Sequence, residues 1–293
     1  MKQIRLGFAD TFGTAISFFT HALGHRFDIV RDDDNPEYLI YGEGVYGQSH
    51  LRFGPDVTKV FYTGENVRPP SGQFAMTFDH VNSHCHYRLP LYVIDMWGAV
   101  IEGWTDDYLE LVNFSFKRFD NEYDYDTRKF CSFVVSNPNQ EMRNKAFHFI
   151  NEYKTVASGG PHLNNIGYVL PRDKLNNKLS FLDQYRFNIC FENGSYPGYV
   201  TEKLLNALQV KTMPIYWGSP TVDRDFNPKA FINAADHGDF NKLVNYIQHL
   251  DSPAGKNEYL DIIEQPAFKN DIPNEFTSMN NLCDWWETFV VKK

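Results

Sequence analysis

Phe187-Asn-Ile-Cys-Phe-Glu-Asn-Gly-Ser-Tyr-Pro-Gly-Tyr-Val-Thr-Glu-Lys-Leu204, followed by Pro214-Ile-Tyr-Trp-Gly218, is the stretch that decides the fold. Phe187–Phe191 is short, apolar and aromatic, as a buried strand requires. Glu192–Tyr199 carries Gly194, Pro197 and Gly198, residues that let a backbone approach a ligand closely. From Val200 to Lys211 the spacing of Leu204, Leu205, Ala207 and Leu208 predicts one buried helix face. The first turn of that helix presents Thr201, Glu202 and Lys203. A helix N-terminus with unsatisfied N–H groups and an ammonium beside it receives a phosphate well. Strand, loop, helix and strand in this order predict a nucleotide site on a parallel sheet.

The same alternation runs outward in both directions. Upstream, Ile4–Phe8, Phe27–Val30, Tyr38–Tyr41, Lys59–Thr63 and Phe74–Phe78 read as strands, and Thr14–Leu23 as a helix. Lys117–Lys129 is polar and irregular and reads as a crossing between domains. Strand Phe130–Ser136, helix Glu141–Tyr153, strand Thr155–Ala157 and helix Leu179–Tyr185 then lead into the opening stretch. Phe240–Leu250 and Asn280–Val291 are later helices. The expectation is α/β: two Rossmann-like domains, 1–125 and 126–293, with parallel sheets facing a central cleft. The last helix, with Trp285 and Trp286, is amphipathic and is expected to pack back on the first domain; lying on a membrane surface is the other reading.

At 293 residues there is enough chain for two cores. A net charge of -9 with no long basic run argues against nucleic-acid binding. The four cysteines form no CxxC pair and read as reduced, buried thiols. No apolar run is long enough to span a bilayer and Met1-Lys-Gln-Ile-Arg leads into a strand, so the expected location is cytoplasmic. No oligomeric state is legible.

Five positions are candidates for the chemistry of the site. Lys203 and Arg143 open helices at two βα junctions of one domain, and two such cations can converge on a diphosphate. Glu202 and Asn193 flank the same loop and suit ribose or sugar hydroxyls. Glu65 follows a strand in Val60-Phe-Tyr-Thr-Gly-Glu-Asn66; spacing leaves it either a general base or an exposed turn acid. Asp32-Asp33-Asp34 and Asp124-Tyr125-Asp126 satisfy an Asp-x-Asp pattern, yet each lies in a polar stretch that reads as a solvated loop. His84-Cys85-His86 has no second cluster at zinc spacing, and strand alternation would put both histidines on one face. No metal ligand is therefore expected.

FENGSYPGYVTEKLLNA, ending in PIYWGSP, resembles the signature of the α-1,3/4-fucosyltransferases, glycosyltransferase family 10, in their bacterial form. Phe61–Asn66, Arg88–Tyr92, Phe130–Asn144 and Asp225–Lys229 support the resemblance, and Gly194 departs from it where the family usually has Ser. The resemblance implies a GT-B architecture, with the acceptor at the N-terminal half and GDP-fucose at the C-terminal half. It implies inverting transfer of L-fucose to lactose- or lactosamine-type acceptors, α-1,3 before α-1,4, with no cofactor required. By the same resemblance Arg143 and Lys203 bind the diphosphate, Tyr199 adds a hydrogen bond, Glu202 holds the ribose, Asn193 contacts the donor and Glu65 is the general base. Peripheral contact with a membrane is also implied. The rival expectations are a metal-dependent nucleotide-sugar transferase and a non-catalytic sugar-binding homologue.

Overall fold

A computed structural model describes residues 1–42, 46–80, 83–98, 124–171, 175–269 and 279–291. The chain divides into two compact units, Met1–Ser115 with Pro273–Lys293, and Phe116–Ile272.

The first unit is built on six parallel strands: β1 (Lys2–Ala9), β2 (Phe27–Arg31), β3 (Tyr38–Tyr41), β4 (Thr58–Tyr62), β5 (Phe74–Thr77) and β6 (His86–Arg88). Their order is β2-β1-β3-β4-β5-β6. Helix α1 (Gly13–Gly24) connects β1 to β2, and α2 (Leu91–Gly98) follows β6. Every residue of β3 and β5 is buried, as expected of strands covered on both faces. On α1 the buried residues Ala15, Phe18, Phe19, Ala22 and Leu23 share one face at i, i+3, i+4 spacing. Each large side chain so buried contributes about 1.5–3 kcal/mol relative to exposure.

The second unit holds five parallel strands: β7 (Lys129–Phe133), β8 (Val156–Ser158), β9 (Tyr185–Phe191), β10 (Met213–Trp217) and β11 (Ile232–Asn233). Their order is β11-β10-β9-β7-β8. Helices α3 (Glu141–Tyr153), α4 (Leu175–Leu182), α5 (Glu202–Gln209), α6 (Phe240–Leu250) and α7 (Lys256–Ile263) accompany them. Phe133, Phe147, Ile150, Phe187, Ile189, Ile215, Leu243 and Ile247 form one core cluster on this sheet. Asp239 caps α6 by accepting from the Lys242 N–H at 2.9 Å.

Counted within its own unit, each sheet has strand order 2-1-3-4-5, and the first unit adds a sixth strand. This order reverses direction between its first and third strands. At such a switch point the loops at the carboxyl ends diverge and leave a crevice for a ligand. The switch points lie between β1 and β3 in one unit and between β7 and β9 in the other.

Several expected boundaries shift. The helix expected over Leu179–Tyr185 starts earlier and ends at Leu182, because Tyr185 pairs with Lys129 and opens β9. The helix expected from Val200 starts at Glu202, because the Thr201 N–H and hydroxyl are both committed to Glu192. His84 is not in a strand: Ser83 and His86 close a tight antiparallel bridge, and β6 begins only at His86. Of the expected crossing Lys117–Lys129, the part before residue 124 lies outside the described residues.

The chain's last helix, α8 (Met279–Trp285), runs into a π-helical turn, Trp286–Val291. It belongs to the first unit. Arg26 reaches Asp284 and Glu287 at 2.9 Å each, Cys283 donates to the Ala22 carbonyl, and the Trp285 indole donates to the Ser83 carbonyl. Trp286 is fully buried. All four cysteines are free thiols, and three are buried. Among the described residues no helix is long and apolar enough to cross a membrane.

Candidate active site

The carboxyl ends of β7 and β9 meet through Arg143. This residue lies in the first turn of α3, and its guanidinium is fully buried. One amino group donates to Asn193 Oδ1 and the other to the Asn137 carbonyl, each at 2.6 Å. Gln140 adds a bond from its side-chain amide to the Asn193 carbonyl at 2.9 Å. The loop after β7 is thereby tied to the loop after β9 across the switch point. A buried guanidinium is tolerated because carbonyl and amide oxygens surround it.

One residue before Asn193, Glu192 directly follows the wholly buried strand β9 and is itself buried. Its carboxylate accepts from the Thr201 N–H at 2.8 Å, from the Thr201 hydroxyl and from Lys203 Nζ at 3.0 Å. Lys203 also donates to Thr201 Oγ1 at 2.8 Å and remains partly exposed. Two cations from the βα junctions of neighbouring strands, β7 and β9, thus approach adjacent residues, Asn193 and Glu192. No side chain caps α5, so the N–H groups of its first turn stay oriented towards the same loop. Sequence reasoning selected Lys203, Arg143 and Asn193 but missed Glu192. The available signal was its place directly after the strand Phe187–Phe191, with Thr201 and Lys203 following.

Gly198 makes the loop possible. It adopts φ 84°, the left-handed region, and its N–H donates to Ser219 Oγ at 2.9 Å and Thr221 Oγ1 at 3.0 Å. Tyr199 next to it is fully buried, so its ring is part of the loop's support.

Beside this cradle lies a cavity of about 270 Å³, bounded by Ser136, Gly160, Lys178, Glu202 and Asn206. Gly160 is required there: a Cβ would stand 2.2 Å from the Val135 carbonyl oxygen. Glu202 pairs with Lys178 at 3.2 Å. Burial pushes its carboxyl up, but the ammonium groups of Lys203 and Lys178 outweigh that and hold it well below the usual carboxylate range. Ionised at neutral pH, it offers acceptor oxygens to ligand hydroxyls. A group with a depressed folded-state pKa stabilises the fold above its unfolded pKa and loses that contribution as pH falls. Glu202→Gln is therefore expected to unfold at lower urea concentration than the unsubstituted protein at pH 7. The gap should stay full above about pH 4, the ordinary glutamate value, and narrow progressively as pH falls further towards the depressed folded-state value; a gap that persists unchanged in strong acid would remove the ion pair as its cause.

In the first unit, Glu65 is half-buried in the turn after β4. Its N–H is held by Thr63 Oγ1 at 3.0 Å, and its carbonyl accepts from Val67 at 2.7 Å. The turn thus fixes the carboxylate at the carboxyl edge of the sheet. Tyr62 beside it is fully buried, and burial followed by the nearby Tyr46 and Glu65 pushes its phenol well up.

The Asp-x-Asp stretches are occupied by local structure. Asp32 accepts from the N–H groups of Asp34 and Asn35, Asp33 from Phe8 and Arg31, and Asp126 pairs with Lys256. Among the described residues no three His, Cys, Asp or Glu side chains gather as a metal site.

Residues 125–288 match the profile of the glycosyltransferase family 10 (fucosyltransferase) C-terminal region, and residues 5–95 that of the α-(1,3)-fucosyltransferase FucT N-terminal domain. The chain is 35% identical to α-(1,3)-fucosyltransferase FucT of Helicobacter pylori over 82% of its own length and 54% of that protein's. It therefore spans about half the length of that relative. A crystal structure of an α1,3-fucosyltransferase superposes with TM-score 0.80 at 29% identity, covering 99% of this chain and 90% of that one. A second, with GDP-fucose, gives TM-score 0.77 at 28% identity over 99% of this chain and 91% of that one. The architecture is GT-B, with a parallel sheet in each unit.

Proposed function

Because the chain belongs to glycosyltransferase family 10, the fucosyltransferases, we propose that it transfers L-fucose from GDP-fucose to a hydroxyl of an acceptor glycan, inverting the anomeric carbon. The observation that carries this reading is the arrangement at the β7/β9 switch point. There Arg143 and Lys203 serve adjacent residues, Asn193 and Glu192, beside a cavity edged by an ionised Glu202.

In this mechanism the second unit holds the donor. Lys203 and the first-turn N–H groups of α5 receive the diphosphate, Arg143 adds its charge from beneath the loop while fixing Asn193 against the donor, and Glu202 takes the ribose hydroxyls. Tyr199 supports the loop and supplies a further hydrogen bond. Glu65 of the first unit accepts the proton of the acceptor hydroxyl as that oxygen bonds to C1 of β-linked GDP-fucose. The bond from C1 to the phosphate oxygen breaks, and GDP leaves with its electron pair. Positive charge gathers on the sugar and negative charge on the departing diphosphate. Protein cations neutralise the latter, so the reading requires no divalent ion.

The acceptor proposed is a lactose- or lactosamine-type glycan, with α-1,3 linkage. The proposed location is the cytoplasm, peripheral to the inner face of a membrane where such glycans are assembled. Incubation with GDP-fucose and N-acetyllactosamine in excess EDTA tests the reading. GDP release matched by a fucosylated trisaccharide of α-1,3 linkage is expected. Activity that appears only with added divalent ion would favour the metal-dependent alternative, and donor binding without transfer the non-catalytic one.

A further inference from the structure

The first unit's own switch point, between β1 and β3, is bridged by a side-chain pair that the donor site does not use. Asp10 follows β1 directly and adopts φ 51°, a left-handed conformation that an Asp tolerates better than most residues. His50 lies in the short turn Ser49–Arg52 that follows β3. The Asp10 carboxylate accepts from the Ser49 N–H at 2.9 Å, the Ser49 hydroxyl at 2.8 Å, the His50 N–H at 2.8 Å and His50 Nδ1 at 2.7 Å. Burial pushes its carboxyl up, but the His50 and Ser49 donors outweigh that and hold it below its ordinary value.

An ionised carboxylate only accepts, so Nδ1 carries the proton and the ring's tautomer is fixed. The imidazole lies on the Tyr41 ring with centroids 4.5 Å apart, and Tyr41 donates to Gln73 at 2.5 Å. The orientation is thus set on one side by a carboxylate and on the other by an aromatic face. The His50 side chain is 6% exposed, and Nε2 meets no hydrogen-bond partner among the described residues. Among the described residues Nε2 is not one of the side-chain atoms buried without a partner, so this edge of the ring keeps contact with solvent, where a ligand can reach it. Glu65 follows β4, the strand next to β3, on the same edge of the same sheet.

We propose that His50 Nε2 binds a hydroxyl of the acceptor glycan, with Asp10 as the positioning residue that aims it. A hydroxyl both donates and accepts, so it satisfies this nitrogen whichever way its proton is arranged. The proposal rests on the transferase reading given above and adds the chemistry by which the first unit holds the acceptor.

His50→Asn separates this role from mere fastening of the loop. The Asn amide can replace Nδ1 as donor to Asp10, but nothing then stands at Nε2. At saturating GDP-fucose, the acceptor KM of H50N should rise about tenfold, the size of one lost hydrogen bond to a ligand. GDP affinity by calorimetry and the thermal midpoint should stay near those of the unsubstituted protein. Asp10→Asn should also raise acceptor KM, and the double variant no further than the larger single effect, since both act through one nitrogen. Nitrogen NMR of the unsubstituted protein gives a readout free of any folding defect: the His50 Nε2 resonance should shift on adding N-acetyllactosamine and stay put on adding GDP. An unchanged acceptor KM in H50N, or a resonance indifferent to the glycan, would overturn the proposal. Absence of turnover in the unsubstituted protein would instead count against the transferase reading, and the NMR titration would still report on His50 alone.

Discussion

Glu65→Gln is expected to lower kcat for fucosyl transfer about a thousandfold, within the usual range for removing a positioned general base. The amide keeps the size of the carboxylate but cannot take a proton. The turn that carries it is held by backbone groups, the Glu65 N–H on Thr63 and the Glu65 carbonyl on Val67, which the substitution leaves in place. GDP affinity should therefore change by less than about twofold, because the donor cradle belongs to the other unit. Steady-state kinetics paired with calorimetry against GDP makes the comparison. A variant that turns over at the original rate would take Glu65 out of the reaction altogether.

Lys203→Met should fail in two separable ways. Loss of the ammonium removes a positive group from the leaving diphosphate, and kcat/KM should fall by a factor of about a hundred to a thousand. It also leaves the wholly buried Glu192 carboxylate with Thr201 alone for company. Breaking one side of a buried pair costs about 3–5 kcal/mol, which urea unfolding would read as an earlier midpoint with an unchanged slope. Adding Glu192→Gln removes the stranded charge and should restore most of the stability. It should restore none of the transfer. A double variant that recovers both would mean Lys203 serves the fold and not the donor.

Much of this design was readable in the chain, and the reasons are specific. β9, α5 and β10 declared themselves because a strand buried on both faces is mostly apolar and aromatic, and because a loop passing close to a ligand needs Gly and Pro. Arg143 and Lys203 stood out as cations opening helices at two βα junctions of one domain. Helix α2 was hidden because Leu91-Tyr-Val-Ile-Asp-Met-Trp is apolar nearly all round and shows no helical period. Helix α7 was hidden because it buries only Tyr259. The Glu192 pairing and the Asp10–His50 pair escaped for another reason. The second joins residues 40 apart in the chain, and tertiary pairing of polar groups leaves no periodic trace. Tyr199, selected with the same motif, is buried in the loop that carries the ligand groups.

The return of Trp285 and Trp286 to the first unit has a practical consequence for engineering. A gene fragment truncated after α2 would encode an amino-terminal lobe stripped of its indole cover, with Ala22 and its neighbours on α1 laid bare. Transplanting the first unit from one relative onto another thus calls for a two-piece graft, in which the tail travels with the head. A circular permutation that fuses the tail ahead of Met1 would let that lobe be produced as one continuous polypeptide.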